Sequence, residues 1–248
     1  MAISTNSIIH YTKELKYLKG ILENGFKVFY CYEKVLSSKK GYMHSVFPMI
    51  SFCDIPLAQV KQHIDSYGDY GIGLTKDWAK SYGLNPVLYF DKDSELINYF
   101  RSEFERLNEK RKKKEIENED IEHLIKILSY SKNYEADLTR KDKTIKNYRF
   151  YDEKEWRYVP NSTILGSAKP FLSEKVYSED KDKYNKTLDH ITIKFEPEDI
   201  SYIIVKDESD IKEITQHIRS LFASKCTLEK MEIIMTRIIT TDQIRFDI

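Results

Sequence analysis

The sequence lacks the features of a disulfide-bonded, secreted or membrane-spanning protein. Its three cysteines, Cys31, Cys53 and Cys226, are odd in number and widely spaced, which favours a reducing compartment over a disulfide framework. No apolar stretch approaches the roughly 20 residues that a membrane span needs. The N-terminus has no basic patch followed by an apolar run, so it does not resemble a secretory signal. We therefore predict a cytoplasmic protein with no membrane contact.

Net charge is also absent. The 40 Lys and Arg residues balance the 40 Asp and Glu residues, which argues against nucleic-acid binding through the overall field of the protein. This balance does not exclude nucleic-acid binding in a local basic groove. What the chain does have is length and apolar content: 248 residues, 41% hydrophobic and 13% aromatic, suffice for a core without disulfides or metals.

Two common kinds of catalytic or structural site are missing. The residues His44, Cys53, Asp54 and His63 lie near one another in sequence, but no pair has the spacing of a structural zinc site, so we predict no metal. No G-x-S-x-G motif is present, which argues against a hydrolase with a nucleophile elbow.

The hydrophobic patterns predict an α+β protein, because strands outnumber helices and the helices cluster between them. No linker divides the chain, so we expect a single domain over residues 1–248. Strands are predicted at 7–12, 28–32, 48–56, 71–74, 87–90, 155–159, 190–195, 200–205 and 231–240, with a loop at 131–150 and a tail from 242. Helices are predicted from Lys13 to a stop at Gly25, at 57–66, at 77–81, twice within 94–130, and at 211–221.

The two helices within 94–130 are joined by a segment, Asn108–Asp120, that is nearly all charge. We interpret this region as a charged helical insertion. The run Lys110–Lys114 is followed at once by acidic residues, so it is either a solvated helix face or an RNA or DNA contact.

Three motifs carry candidate chemistry, and the first is His10-Tyr11-Thr12. Residues two apart on a strand point to the same face, so His10 and Thr12 could bind adjacent hydroxyls of a sugar. The alternative is structural: Thr12 would be the N-cap of the helix that follows.

The second motif, Glu153–Arg157, surrounds Trp156 with two carboxylates and an arginine. On a strand, Glu153, Glu155 and Arg157 share one face and Trp156 faces the core, which would present Glu155 to a cleft beside a charge that keeps it ionised. The alternative is a surface strand of ion pairs over a core tryptophan.

The third motif, Tyr67–Leu74, places glycines between aromatic residues. Such spacing lets backbone and ring approach a flat ligand, although no phosphate-binding G-x-G-x-x-G opens a helix here. The alternative is a tight turn into a strand.

Most of the chain, about 7–90 and 150–245, resembles the AbiGi family of abortive-infection proteins. The resemblance rests on the blocks HYTKELKYLKGILENGF, PMISFCDIPLAQ, YGDYGIGLTKDWAKSYGLNPVLY, EKEWRYVP and RIITTDQI, and the charged middle of the chain carries none of it. These proteins act in phage resistance, and some are described as an antitoxin component. The resemblance implies a role in phage defence, with a cognate toxin or antitoxin as partner.

A looser resemblance is to ADP-ribosyltransferases of the His-Tyr-Glu type, including PARP-like and DarT-like enzymes. In those enzymes, a strand with H-x-T or H-x-S precedes a helix with a glycine stop, a G-I-Y-F-A strand leads into a helix, and a late strand presents a catalytic Glu. The matching order here is His10 and Thr12, Ile21–Gly25, Gly71–Thr75 with Ala79, and Glu155. This implies a split β-sheet core with flanking helices.

The enzyme resemblance also implies NAD as substrate and a protein or nucleic acid as acceptor. Glu155 would be catalytic, because a carboxylate beside the ribose stabilises the oxocarbenium-like transition state. One departure is Gly73, which stands where those enzymes have tyrosine, so that Tyr67 or Tyr70 would have to stack on nicotinamide. The residues implied in NAD binding are His10, Tyr11, Thr12, Tyr67, Tyr70 and Arg157.

Two hypotheses stay open at this point. The first is an NAD-dependent ADP-ribosyltransferase toxin of phage defence, which the retained H-x-T and Glu155 favour. The second is a non-catalytic antitoxin that binds and neutralises a partner toxin, which Gly73 favours.

Overall fold

The computed structural model describes residues 4–38, 41–140, 143–224 and 226–248, without the side chains of 36–38, 41–43, 118–120, 139–140 and 143. The strands are β1 (Ser7–Thr12), β2 (Phe26–Lys27), β3 (Phe29–Ser38), β4 (Gly41–Cys53), β5 (Tyr70–Thr75), β6 (Asn85–Pro86), β7 (Leu88–Phe90), β8 (Ser131–Asn133), β9 (Ala136–Arg140), β10 (Lys143–Tyr148), β11 (Glu155–Tyr158), β12 (Leu172–Ser173), β13 (Thr192–Ile193), β14 (Ile200–Val205) and β15 (Ile238–Thr240). The helices are α1 (Leu15–Asn24), α2 (Lys61–Tyr67), α3 (Lys76–Ser81), α4 (Glu95–Lys112), α5 (Asn118–Ser129), α6 (Ser162–Leu165), α7 (Glu174–Glu179), α8 (Lys181–Lys186), α9 (Glu208–Phe222), α10 (Leu228–Met235) and α11 (Thr241–Phe246).

These elements make the chain an α+β protein, as predicted. It divides into two compact units: the first contains the chain through Lys27 with 51–84 and 192–248, and the second contains 28–50 and 85–191. Both units are assembled from separated stretches, so the division is not a boundary between consecutive domains. The expectation of one domain over 1–248 stays a prediction.

The first unit is built on a sheet in which β1 has a central place. β1 pairs antiparallel with β5 and meets the end of β4 at Ile9 opposite Cys53. β5 pairs antiparallel with β14, and β14 pairs parallel with β15. Because side chains alternate along a strand, Ile9 and Tyr11 face an apolar layer beneath α2 and α11, while His10 faces the opposite side.

The predicted stop of α1 and the buried face of α9 can both be compared with the structure in this unit. α1 ends at Gly25, whose φ of 77° is a left-handed value that suits glycine, and the Gly25 N–H donates to the Ile21 carbonyl. Helix α9 packs against α1 and buries Ile214, Ile218 and Phe222. The stripe predicted from helical spacing was Ile211, Ile214, Ile218 and Leu221, so its two central residues are buried as expected and Phe222 was missed.

The second unit is built on the long hairpin of β3 and β4, which pair from Phe29 opposite Met49 outward. Helices α4 and α5 pack on each other and cover an apolar core with β3. The buried members of that core are Val35, Phe47, Met49, Phe90, Ile97, Ile121, Leu124, Ile125, Leu128 and Val159. The predicted pair of helices within 94–130 is therefore confirmed, and its apolar stripes are core.

Several local predictions differ from the structure in element type or in bounds. Residues 131–150, expected to be loop, contain β8, β9 and β10, although 141 and 142 lie outside the described residues. The strand expected at 231–240 is the end of α10 followed by the shorter β15, and the expected tail contains α11. The strand expected to begin at Pro48 begins earlier, at Gly41, and Pro48 lies inside it opposite Tyr30.

Candidate functional site

The predicted site residues fall into two groups, one in each unit. The first unit holds the group implied in NAD binding, His10, Tyr11, Thr12, Tyr67 and Tyr70, and the second unit holds Glu155 and Arg157. Each group is described within its own unit.

His10 is held on β1 among aromatic rings. Its imidazole lies edge-on to Phe26 at 5.4 Å and to Phe52 at 5.6 Å between ring centroids. Nδ1 lies 2.8 Å from the carbonyl oxygen of Ser51, which can only accept, so Nδ1 carries the proton. Burial lowers the pKa of His10, against the opposing effect of this hydrogen bond. The ring is thus neutral at neutral pH, with Nε2 an acceptor.

Thr12 ends β1 opposite Tyr70 of β5. The N-cap interpretation of Thr12 was wrong, because α1 begins at Leu15 and Glu14 occupies its N-cap position. The Thr12 carbonyl instead lies against Gly68, where a Cβ atom would be 2.3 Å from that oxygen. Gly68 has a φ of 129°, so both its conformation and its contact require glycine.

The two tyrosines proposed to stack on nicotinamide have partners within the protein. The Tyr67 ring stacks on His63 with centroids 4.1 Å apart and planes 17° apart. The Tyr70 hydroxyl donates to Asp210 Oδ2 at 3.0 Å, and burial followed by this carboxylate raises the pKa of Tyr70 to about 12. Tyr67–Leu74 thus forms the tight turn into β5 that was the structural alternative.

Tyr11 faces the apolar layer on the other side of β1, beside Ile9, Cys53 and Ile64. Its hydroxyl is buried without a hydrogen-bond partner in the described part of the chain, and burial raises its pKa well above the ordinary value. Tyr11 therefore lies on the opposite face of β1 from His10 and Thr12.

The neighbour of Gly73 explains why no tyrosine stands at this position. A Cβ atom on Gly73 would lie 2.9 Å from Cδ2 and 3.1 Å from Cβ of Tyr202, which pairs with Gly73 across β5 and β14. The Tyr202 side chain occupies the space that a residue at position 73 would need.

Replacement of Gly73 with alanine is expected to cost about 1–3 kcal/mol of unfolding free energy, because the added methyl group overpacks against Tyr202. Gly20→Ala is the matched control: nothing lies within 4 Å of a Cβ there, and alanine should stabilise α1 by about 0.5–1 kcal/mol. Urea unfolding of both variants measures the difference. Equal stability of G73A and wild type would contradict the packing described.

The second group forms around β11, and its orientation is a correction of the sequence prediction. Glu155 and Arg157 face the interior with 5% and 0% of their surface exposed, while Trp156 is half-buried on the other side. Glu153 lies not on the strand but in a 3-10 turn, Phe150–Glu153, and the left-handed Lys154 (φ 46°) separates the two. The surface-strand alternative was wrong as well, because the carboxylates are buried.

Five charged side chains form one ladder, which we call the ion ladder, in the order Glu33, Arg157, Glu155, Lys132, Glu153. Arg157 reaches Glu33 Oε1 at 2.9 Å through Nη2 and Glu155 Oε1 at 2.6 Å through Nε. Lys132 Nζ lies 2.6 Å from both Glu155 Oε2 and Glu153 Oε2. Both oxygens of Glu155 are thus held by cations.

The ion ladder contains three carboxylates and two cations. Burial alone would raise the pKa of Glu155, but the charges of Arg157 and Lys132 outweigh it and hold that pKa well below the usual range. Burial raises the pKa of Glu33, at the end of the ladder, despite Arg157. A proton is therefore bound more readily at Glu33 than at Glu155.

Sequence reasoning missed Lys132 and Glu33. Their partners lie in β11 and in the turn before it, far away in sequence, and nothing in the sequence around Lys132 or Glu33 marks it as part of an ion network. Backbone groups complete the site: Arg157 Nη1 donates to the Ser129 carbonyl at 2.8 Å, and the Glu155 N–H donates to the Tyr89 hydroxyl at 2.9 Å.

Metal sites and membrane spans are both missing from the described residues. No group of three or more His, Cys, Asp or Glu side chains in these ranges is placed to hold a metal ion. None of their helices combines the length and the apolar character needed to cross a membrane.

Comparison with known proteins gives two matches and one negative result. Residues 24–206 match a family described as "Putative abortive phage resistance protein AbiGi, antitoxin". The chain is 26% identical to the abortive phage resistance protein AbiGi of Lactococcus lactis subsp. cremoris over 259 aligned residues, which cover 96% of this chain and 97% of that protein. No solved structure matches the chain. Since the family match spans most of the sequence, the chain belongs to the AbiGi family of abortive phage resistance proteins.

Proposed function

We propose that the chain acts in phage defence as an antitoxin, neutralising a partner toxin by binding it. The description of the family as an antitoxin supports this function. The observation that carries it is the state of Glu155, whose two carboxylate oxygens are held by Arg157 and Lys132 at 2.6 Å in a buried ladder. A carboxylate that stabilises a developing positive charge on a sugar must face that sugar, and this one faces its own cations.

A second candidate function is NAD-dependent ADP-ribosyl transfer to a protein or nucleic acid. The environment of His10 favours it, because a neutral imidazole with Nδ1 on Ser51 leaves Nε2 to accept a ribose hydroxyl, and Thr12 shares that face of β1. In this candidate Glu155 is catalytic, Arg157 positions it, and Tyr67 or Tyr70 stacks on nicotinamide. The residues fit NAD only in part, since Glu155 is enclosed and both tyrosines have partners in the protein.

One experiment separates the two functions. Purified wild type, Glu155→Gln and His10→Gln are incubated with NAD and cell lysate, and released nicotinamide is measured by chromatography. We expect no release from any of them, because Glu155 does not face a ligand. Release by wild type that disappears in both variants, with each folded by circular dichroism, would establish the transferase instead.

Co-expression tests the antitoxin function directly. The gene beside that of this chain is expressed alone and together with wild type, Glu155→Gln or His10→Gln. We expect growth arrest from the neighbour alone and rescue by all three folded proteins, since binding does not need a catalytic carboxylate. Rescue by wild type and failure of both folded variants would favour a catalytic function over neutralisation by binding.

A further inference from the structure

The second unit has a basic and aromatic surface that neither function uses. β9 and β10 form a two-stranded sheet of their own, and the side chains at 144–147 are all exposed. A two-stranded ribbon has little core to bury. The chain then turns through Phe150–Glu153 into β11. We call Lys146, Arg149, Tyr151 and Lys154 the ribbon surface.

The cations of the ribbon surface are available to an anionic ligand. Lys146 pairs with Asp137 at 2.6 Å with 75% of its side chain exposed, and Arg149 approaches Asp152 at 4.0 Å with 54% exposed. Exposed pairs of this kind contribute little stability, so a phosphate group can compete for the cation. The third cation, Lys154, has no such pair within the described part of the chain; its ammonium lies 3.2 Å from the centre of the Tyr151 ring.

The aromatic part of the surface is exposed beside these charges. Tyr151 has 41% of its surface exposed, and its ring is supported from within by Tyr89 at 5.2 Å and Tyr134 at 5.4 Å between centroids. The Lys154 ammonium covers one face of this ring, so a base would stack on that face as Lys154 moves from the ring to a phosphate. Cations that follow a backbone next to a stacking ring are the chemistry of single-stranded nucleic-acid binding.

The backbone holds this arrangement at some cost. Asn147 (φ 51°) and Lys154 (φ 46°) have left-handed backbone conformations, which residues other than glycine rarely adopt. At Lys154 the effect is specific: Glu153 and Glu155 on either side both turn inward to Lys132, and Lys154 turns outward to Tyr151. The same turn that closes the ion ladder thus presents a cation and a ring at the surface.

We propose that the ribbon surface binds single-stranded nucleic acid, with Lys146, Arg149 and Lys154 on phosphates and Tyr151 stacked on a base. Alternating basic and aromatic side chains favour this ligand over an acidic protein, which would need the cations and not the ring. The proposal stands independently of the antitoxin function.

Fluorescence anisotropy with labelled oligouridylate and oligothymidylate of about 12 nucleotides, within the range that one small binding site covers, tests the proposal. We expect wild type to bind with a Kd of about 10⁻⁴–10⁻⁶ M at physiological salt and more tightly at about 50 mM salt. The double variant Arg149→Glu with Lys154→Glu should bind at least about 10-fold more weakly and lower the salt slope by about 0.7 for each phosphate that is no longer neutralised. Tyr151→Ala should weaken binding about 5-fold or more.

The matched control is Arg106→Glu with Lys112→Glu, which makes the same charge change on exposed, ion-paired cations of α4. It should bind as wild type does, and all variants are checked for folding by circular dichroism. Absence of wild-type binding at about 50 mM salt would overturn the proposal. So would equal weakening in the control pair, which would place the binding surface on the Lys110–Lys114 run. Polyglutamate that competes as well as the oligonucleotide, with Tyr151→Ala unaffected, would identify an acidic protein as the ligand instead.

Discussion

An Arg157→Met variant is expected to lose about 3–5 kcal/mol of unfolding free energy, which is a large part of the stability of most domains. Arg157 is fully buried and links Glu33 to Glu155 within the ion ladder. Methionine fills much of the same volume but removes the charge, so the buried Glu155 and the partly buried Glu33 lose their shared cation. The carbonyl of Ser129 loses a donor as well. Urea unfolding at neutral pH measures the loss.

Arg106→Met is the control for this prediction. Arg106 also pairs with a glutamate, Glu103, but 51% of its side chain is exposed, so its loss should change stability by no more than about 0.5 kcal/mol. Equal unfolding free energies of the Arg157→Met and Arg106→Met variants would contradict the predicted contribution of the ion ladder to stability.

Phe26→Ala is the second substitution with a large expected effect, at about 3–5 kcal/mol. Only 2% of Phe26 is exposed, and its ring contacts an aromatic cluster in the first unit. The centroid distances from Phe26 are 5.0 Å to Phe52, 5.4 Å to His10, 5.6 Å to Phe195 and 5.8 Å to Trp78. Alanine leaves a cavity among four rings that cannot close around it, and thermal unfolding followed by circular dichroism measures the cost.

Phe246→Ala makes the same chemical change where 80% of the ring is exposed, so no more than about 0.5 kcal/mol should be lost. A similar loss at both positions would show that the cluster around Phe26 is loosely packed. The comparison also reports on His10, whose ring is held in place by Phe26.

The elements that the sequence predicted well are those with a clear apolar signal. Helices α1 and α9 each bury one face, and the helical spacing of their apolar residues shows that face directly. Strands β1 and β14 carry short apolar runs that are buried on both faces, which is typical of strands inside a sheet. The apolar helix stripes within 94–130 were correct for the same reason, since they form the core beside β3.

The errors arose where that signal fails. The hairpin of β9 and β10 is exposed over 144–147, so no apolar alternation marks it as strand. Six of the ten residues in 231–240 are apolar, in short runs, and a short apolar run does not distinguish the end of a helix from a strand. Here α10 buries Met231 and Ile234, and β15 begins only at Ile238.

The candidate site was predictable only as far as its local pairs. The i, i+2 spacing of Glu155 and Arg157 correctly predicted that their side chains share one face of β11. Whether that face is buried depends on what packs against the strand, and in the structure it is the buried face. Lys132 and Glu33 come from β8 and β3, so their part in the ladder depends on tertiary structure. The need for glycine at position 73 also depends on tertiary structure, because the Tyr202 side chain on the neighbouring strand occupies the space that a larger residue would need.

The order of charges in the ion ladder determines which of its residues can be replaced one at a time. Arg157, Glu155 and Lys132 each meet two partners of opposite charge, so a change at any one of them leaves two others in need of compensation. Glu33 and Glu153 lie at the two ends of the ladder. Replacing either one with an uncharged residue removes one negative charge from a set that has one more carboxylate than cations. We therefore expect an uncharged residue to be tolerated better at Glu33 or Glu153 than at any of the central three positions.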